Sequence, residues 1–303
     1  MTKFKLGKSA KKVDSRTLQF AKYVKGININ VPATIDYTVG IIDWKMMLNN
    51  SIGDCTCAAI GHLIEAWTKA GKIVPDNLIL AFYSAISGYD PVTGNNDNGA
   101  AILDVLNKWQ KDGLDDDKIG AYAEININDL NEVKTALYLF NGIDIGIQCP
   151  DSAQTQFENG QVWTVVPGAQ VEGGHSIILV GFDGQNWLAV TWGALVKIDP
   201  AFLTTYMDEA YVTIDNDYLT GGKTLEGFDI NSLIADLKAI SDGTYNIDPN
   251  IVNPPNPVPT PTPSPILARE SWLQRFWEWI KKELGTDSPS DEQVRQFLDS
   301  KGM

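Results

Sequence analysis

Two cysteines, Cys55 and Cys57, stand at the start of a segment whose pattern predicts a helix. In GDCTCAAIGHLIEAW, residues 53–67, the apolar residues recur at helical spacing, which indicates a largely buried helix that begins near Asp54. Cys55 then lies in the first turn, where the helix dipole and the free backbone N–H groups favour the nucleophilic thiolate. Cys57 points elsewhere, so the pattern favours Cys55 as a reactive thiol, and the alternative is that Cys55 is an inert buried one.

A thiolate nucleophile needs a base, and the chain contains two histidines. His62 lies seven residues after Cys55 on the same predicted helix and cannot reach back to its first turn, so we predict a structural role. His175 lies in EGGHSIILVGFDGQNWLAVTWG, residues 172–193, where two apolar runs around an Asp-Gly turn predict a β-hairpin. A histidine at the open end of the first strand can face a cleft as a base, or can be a hydrogen-bonded histidine at a strand end.

The residues around Cys55 resemble the papain-like cysteine peptidases. That family has a glutamine six residues before its nucleophile, a glycine two before it and a glutamate ten after it. Asn49, Gly53 and Glu65 hold these positions relative to Cys55, whereas the same spacing from Cys57 meets neither an amide side chain nor a glycine. The resemblance therefore favours Cys55 as the nucleophile.

Further motifs follow in the order that the family shows. NNDNGAAILDVLNKWQKDGL (95–114) resembles the family's glycine-rich loop and helix, and NEVKTALYLFNGIDIGIQC (131–149) resembles its helix followed by the strand "PVSVAV". The His175 strand is similar to "HAVLLVGY", and AVTWG (189–193) is similar to "KNSWG". Each motif is weak alone, but together they extend the resemblance over residues 41–215.

The resemblance implies an α+β, papain-like fold with a helical half and a twisted antiparallel β half. It also implies a cysteine peptidase or amidase in which Cys55 attacks an amide carbonyl and His175 acts as its base. Asn49 would hold the oxyanion together with the backbone N–H of Cys55. Trp192 would pack over His175 and shield the site. The implied substrate is a peptide or a peptidoglycan-like amide, and no cofactor or metal is implied.

Two departures from the family pattern leave a second function open. The asparagine that orients the family's histidine would fall on Val190, so Thr191, the nearest polar side chain, is the candidate orienting group. The oxyanion residue is Asn49, one methylene shorter than the family's glutamine. The alternative is therefore a catalytically degenerate papain-like scaffold that binds a partner or serves as a structural protein of a virion or envelope. The signatures GDC and VTWG also resemble uncharacterised proteins of bacteria and phages.

A metal site is the third alternative. Cys55, Cys57, Cys149 and His175 are residue types that zinc accepts, but a Cys-x-Cys pair is tighter than the usual ligand spacing. The sequence therefore disfavours a metal site.

The charge is unevenly distributed along the chain. The net charge is −14, yet residues 1–25 carry eight basic residues and one acidic residue, while the remainder has 16 basic and 37 acidic residues. The acidic balance argues against nucleic-acid binding by the main domain. The basic segment is predicted to dock on the acidic body, with an envelope- or partner-binding arm as the alternative.

The segmentation predicts four parts. They are a basic N-terminal arm (1–40), a papain-like domain (41–245), a Pro-rich linker (246–266) and a C-terminal two-helix module (267–303). The helix predicted from Trp272 to Leu284 has a Trp-rich face that needs a partner, whether a protein, a second copy or a membrane surface. Because the N-terminus lacks the apolar core of a signal peptide, we expect a protein that is cytoplasmic as synthesised, with virion association as a further expectation.

Overall fold

The computed structural model describes residues 4–26, 28–115 and 117–215, which form seven helices and a seven-stranded sheet. The predicted Pro-rich linker, the predicted C-terminal helices and the stretch 216–245 of the predicted main domain lie outside these residues. The elements in chain order are α1 (Ala21–Val24), β1 (Ile35–Asp36), α2 (Cys55–Thr68), α3 (Asp76–Ser87), α4 (Ile102–Asp112), β2 (Ile119–Glu124), α5 (Leu130–Phe140), β3 (Ile143–Pro150), α6 (Asp151–Glu158), β4 (Val171–Phe182), β5 (Trp187–Thr191), β6 (Ala194–Ile198), α7 (Pro200–Tyr206) and β7 (Met207–Asp215).

The central helix α2 is buried along nearly its whole length. Every residue from Cys55 to Trp67 is buried. Small residues allow this close packing: a Cβ on Gly61 would lie 2.3 Å from the sulfur of Met47. The helix ends at Lys69, which adopts the left-handed conformation at the C-cap. The predicted helix around the cysteines is therefore present, with Cys55 at its first position.

The strands pair antiparallel throughout, in the order β2-β7-β3-β4-β5-β6, with β1 on β4. The continuous apolar run of β4 is explained by its two packed faces. Ile177 and Leu179 belong to one core cluster, and Ile178 and Val180 belong to the other. The second cluster contains the apolar residues of α2, α3 and α4, whereas α5, α6 and α7 pack in the first. The α+β class with an antiparallel sheet is thus confirmed.

One prediction about β4 needs correction. The strand begins at Val171, so His175 lies inside it, paired with Ile147, and not at its open end. The two glycines before His175 do not end the strand. They let the N-terminal segment approach closely, since a Cβ on Gly174 would lie 2.2 Å from the carbonyl oxygen of Lys8.

The basic N-terminal segment lies against the acidic body. Four of its lysines pair with carboxylates of the body: Lys5 with Asp97, Lys8 with Asp208 and Glu209, Lys11 with Glu124, and Lys12 with Asp104. Further along, Leu18, Phe20 and Tyr23 are buried in the core cluster that includes β3. Among the described residues, no helix has both the length and the apolarity needed to cross a membrane.

Candidate active site

Cys55 lies at the N-terminus of α2, fully buried, where this helix meets β4. Backbone N–H groups of Ser176 and Gly7 lie beside this thiol and act to lower its pKa, because they favour the thiolate. Because Ser176 directly follows His175, the structure brings the predicted nucleophile to the backbone of the strand that carries the predicted base. Burial nevertheless raises the pKa of Cys55 to about 12, with neighbouring Asp54 adding to the effect. The thiol is therefore protonated at neutral pH in this arrangement, and burial outweighs the dipole effect that the sequence predicts.

The N-terminal segment covers this cysteine. A Cβ on Gly7 would lie 1.9 Å from the carbonyl oxygen of Gly53, and a Cβ on Gly99 would lie 1.9 Å from the carbonyl oxygen of Gly7. Backbone hydrogen bonds hold the segment on both sides, from Lys8 N to Gly174 O (3.0 Å) and from Ala100 N to Gly7 O (2.9 Å). Residues around Gly7 thus lie as an extended peptide in the cleft between the 99–101 loop and β4.

His175 is buried on β4 and its ring is held on two sides. Its Nε2 lies 2.7 Å from Thr191 Oγ1, and its ring stacks on Trp192 with centroids 4.6 Å apart. Burial lowers the pKa of His175 to about 3, with His62 lowering it further, so the ring is neutral. In the tautomer that donates from Nε2 to Thr191, the buried Nδ1 presents a lone pair, and Nδ1 has no hydrogen-bond partner among the described residues. That lone pair is what a general base requires.

Thr191 takes the place that the family pattern assigns to Val190. Alternation along β5 explains the difference: Val190 pairs with Ile178 and packs in the core cluster of α2. Thr191, one residue on, faces the opposite side of the sheet, where His175 lies. The hydroxyl group of Thr191 can therefore fix the ring orientation, which is the role predicted for it.

Substituting valine for Thr191 removes this hydroxyl while keeping the side-chain shape. We expect the apparent pKa of Cys55 alkylation, measured with iodoacetamide in a chain opened by Gly7→Leu, to rise by about 0.7 unit, since one lost hydrogen bond is worth about 1 kcal/mol. Thr191→Ser, which restores the hydroxyl, is the matched control and should return the parent profile. Identical profiles for the valine and serine variants would exclude Thr191 as a positioning residue.

Trp192 occupies a strained turn that presents its ring to the site. Thr191 and Ala194 pair across the two-residue loop between β5 and β6, and Trp192 and Gly193 both have positive φ, 46° and 70°. Such a turn follows the twist of a hairpin but is unfavourable for a bulky residue. The indole stacks on His175 and also on Phe4 of the N-terminal segment, with a centroid distance of 4.7 Å to Phe4. The predicted packing of Trp192 over His175 is therefore present, and Phe4 covers it further.

Asn49, the predicted oxyanion residue, is buried beside the start of α2. Its Nδ2 donates to Asp54 Oδ1 at 3.3 Å, and burial raises the pKa of Asp54 well above its ordinary value. An amide nitrogen carries two hydrogens, so one remains for another acceptor. The structure thus places Asn49 near Cys55 through Asp54, and its oxyanion role stays a prediction.

The remaining candidates do not join this arrangement. His62 is buried with its Nε2 2.6 Å from the carbonyl oxygen of Lys45, as expected for a structural histidine. Cys57 and Cys149 are buried free thiols. Among the described residues, no group of three or more His, Cys, Asp or Glu side chains is placed to hold a metal ion.

Sequence reasoning missed the residues of the N-terminal segment that fill the cleft. The excess of lysine predicts docking on an acidic body, but it does not reveal where the segment docks. The signal lies in three glycines, Gly7, Gly53 and Gly99, whose lack of side chains permits the close crossing.

A buried helix carrying the cysteine, packed on an antiparallel sheet carrying the histidine, defines a papain-like fold, and the chain has this fold in a divergent form. It is similar to xylellain, a cysteine protease from Xylella fastidiosa, with a TM-score of 0.53 and 15% sequence identity over 70% of this chain and 97% of that one. It is also similar to a digestive procathepsin L 3 from the larval midgut of Tenebrio molitor, with a TM-score of 0.48 and 12% identity over 67% of this chain and 75% of that one. No family model matches the chain, and no curated protein sequence matches it.

Proposed function

We propose that this protein is a cysteine peptidase or amidase that uses a Cys55–His175 pair to cleave an amide bond of a peptide or of a peptidoglycan cross-link. The observation that supports it most directly is the extended segment beside Cys55. The backbone hydrogen bonds of Lys8 and Ser9, to Gly174 O at 3.0 Å and Ala100 O at 2.9 Å, are the kind by which a cleft binds any extended peptide. A cleft that holds a peptide against a thiol is suited to peptide-bond chemistry.

The proposed reaction follows from the groups at the site. His175 Nδ1 takes the proton of the Cys55 thiol, and the sulfur attacks the amide carbonyl carbon. The oxyanion that forms is held by the backbone N–H of Cys55 and by the amide of Asn49. The imidazolium then gives its proton to the departing amine as the C–N bond breaks, which leaves a thioester. Water, deprotonated by His175, hydrolyses the thioester and returns the thiol.

The closed arrangement must open before this reaction can run. In the closed form Gly7 lies against Cys55, and burial holds the pKa of the thiol at about 12 and that of His175 at about 3. Displacing the segment admits water and substrate, which lessens the burial that opposes both charges. The segment is thus both a mimic of the bound peptide and an obstacle to catalysis.

The second candidate function is a binding or structural scaffold that has lost catalysis, as in a virion or envelope protein. Two observations favour it: the cleft is filled by the chain itself, and Thr191 stands in place of an orienting asparagine. In a scaffold protein of this kind, the cleft would bind a peptide without cleaving it.

Hydrolysis distinguishes the two candidates. We expect the purified full chain, or its Gly7→Leu variant, to cleave peptides from a protein digest or cross-linked peptidoglycan fragments, with products identified by mass spectrometry. Cys55→Ser should abolish cleavage because it removes the thiolate. The matched variant Cys57→Ser should retain it, since Cys57 is a buried thiol outside the arrangement. Absence of cleavage in both the native and the Gly7→Leu chains would leave the scaffold function.

A further inference from the structure

The side chain of Lys8 fills a pocket that opens from the cleft. Its ammonium group lies 2.8 Å from Glu209 Oε1 and 3.0 Å from Asp208 Oδ2, and the side chains of Lys8 and Glu209 are both 0% exposed. A lysine buried so completely is unusual and requires paired charges. The pocket is therefore matched to a cation at the end of a long side chain.

A glycine of β3 makes room for this side chain. A Cβ on Gly146 would lie 2.7 Å from Lys8 Cε and 2.6 Å from Glu209 Cγ. Any larger residue at this position would displace either the lysine stem or the carboxylate. The pocket thus depends on the absence of a side chain at Gly146.

Hydrogen bonds from neighbouring side chains fix the carboxylates of the pocket. Tyr211 donates from its hydroxyl to Glu209 Oε2 at 3.0 Å, and Gln148 donates to Asp208 Oδ2. The buried Asp144 accepts from Ser176 Oγ at 2.7 Å through one oxygen, while its other oxygen has no partner among the described residues. When Lys8 leaves, Glu209, whose side chain is 0% exposed, loses its cation in a buried setting, which is costly unless another cation enters.

The pocket lies one residue along the peptide from the position at Cys55. Gly7 crosses closely against Gly53, two residues before Cys55, and Lys8 is the next residue. The backbone N–H of Lys8 donates to Gly174 O, next to His175 in sequence. The pocket therefore binds a substrate side chain close to the candidate reacting atoms, as a specificity subsite does.

We propose that the pocket formed by Gly146, Asp208 and Glu209 is a subsite for a primary ammonium group on a long side chain, and that the cleft selects peptides with glycine at the Cys55 position followed by lysine or another diamino acid. Residues 4–11, which contain Gly7 and Lys8, bind in the cleft as an intramolecular ligand with this glycine–lysine pattern. The assignment of substrate rests on the proposed function, whereas the binding preference can be measured without catalysis.

The test is peptide binding to a full chain whose cleft is open and whose thiol is absent. The chain carries Gly7→Leu and Cys55→Ser, and the probe is a fluorescein-labelled peptide FKLGKSAK, the sequence of residues 4–11. Fluorescence anisotropy gives its Kd. Replacing the lysine that matches Lys8 with norleucine should weaken binding by about tenfold or more. Norleucine keeps the long side chain but lacks the ammonium group that pairs with Asp208 and Glu209 in the pocket. Norleucine at the position that matches Lys5, half-exposed at its ion pair with Asp97, is the matched control and should change Kd by less than about threefold.

A second set of variants changes the carboxylates of the pocket in the protein. Glu209→Gln should reduce the preference for lysine over norleucine, and Asp208→Asn, at a partly exposed side chain, gives the same reading if the first variant misfolds. Equal binding of the lysine and norleucine peptides, or no binding of the lysine peptide to the opened chain, would overturn the subsite. A lysine preference without hydrolysis by the Cys55-containing chain would support the subsite and contradict the proposed peptidase activity. Hydrolysis without a lysine preference would support the peptidase activity and contradict the subsite.

Discussion

Replacing Gly7 with leucine is expected to raise the rate of iodoacetamide alkylation of Cys55 at pH 7 by about tenfold or more. Gly7 passes so close to Gly53 that even a Cβ would lie 1.9 Å from a carbonyl oxygen of the backbone, which cannot yield as a flexible side chain can. The N-terminal segment must then leave the cleft, and Cys55 gains access to solvent. Since the labelling rate scales with the fraction of open molecules, a closed state favoured by about 1.4 kcal/mol already accounts for a factor of about ten.

The control for this substitution is Ala10→Leu. Ala10 lies three residues further along the same segment and is exposed, so it can carry the same leucine side chain without a clash. Labelling is mapped by mass spectrometry, which separates Cys55 from the buried Cys57 and Cys149. Equal rates for Gly7→Leu, Ala10→Leu and the native chain would mean that the segment does not control access to the thiol.

The helix and the hairpin of the site follow from the sequence because each is specified locally. The apolar spacing of α2 and the alternation of β4 and β5 are short-range patterns, and both elements are found where the patterns place them. The same alternation shows why Val190 is buried with α2 while Thr191 faces His175. The sequence thus offers Thr191 as the polar neighbour of the position held by Val190, and strand register determines that Thr191 is the one that contacts His175. Its orienting role stays a prediction.

The filled cleft could not be predicted from the sequence because it depends on contacts distant along the chain. Lys8 pairs with Asp208 and Glu209, some 200 residues away, and no local pattern encodes that pairing. Contacts distant along the chain also explain why the sequence pattern wrongly favours a thiolate at Cys55 in the closed structure. The first-turn position of Cys55 favours a thiolate locally, whereas its burial beneath Gly7 is a tertiary effect that raises the pKa to about 12.

The closed arrangement also explains how two groups suited to nucleophilic chemistry can both be neutral. The neutral thiol and the neutral imidazole are what a dry, covered site favours, because each charge alone would be costly there. Phe4 stacks on Trp192, which stacks on His175, and Gly7 lies beside Cys55, so the N-terminal segment covers both groups. Ionisation of the pair is therefore coupled to removal of the segment.

In the opened Gly7→Leu chain, His175→Ala is expected to lower the rate of Cys55 alkylation at pH 6.5 by about tenfold or more. Once the burial is relieved, His175 can carry the proton that Cys55 loses, and the thiolate is stabilised by this cation and by the N-terminus of α2. The group that reacts is then a depressed-pKa thiolate, so alkylation should reach its plateau below about pH 7. Without the imidazole, the profile should rise near about pH 8.5, the value of a free thiol.

The full pH profile, from about pH 5 to 10, decides this prediction more sharply than one rate. A lowered thiol pKa means that reactivity persists as the pH falls and is lost only when the pH passes below that pKa. The loss of His175 should move this limit upward and leave the high-pH plateau nearly unchanged, since above both pKa values the thiolate is fully formed in either chain. Cys57→Ser, introduced in the same opened chain, should leave the whole profile in place because Cys57 lies outside the site. If the profiles with and without His175 superimpose, His175 is not the base for Cys55, and the proposed ion pair does not form.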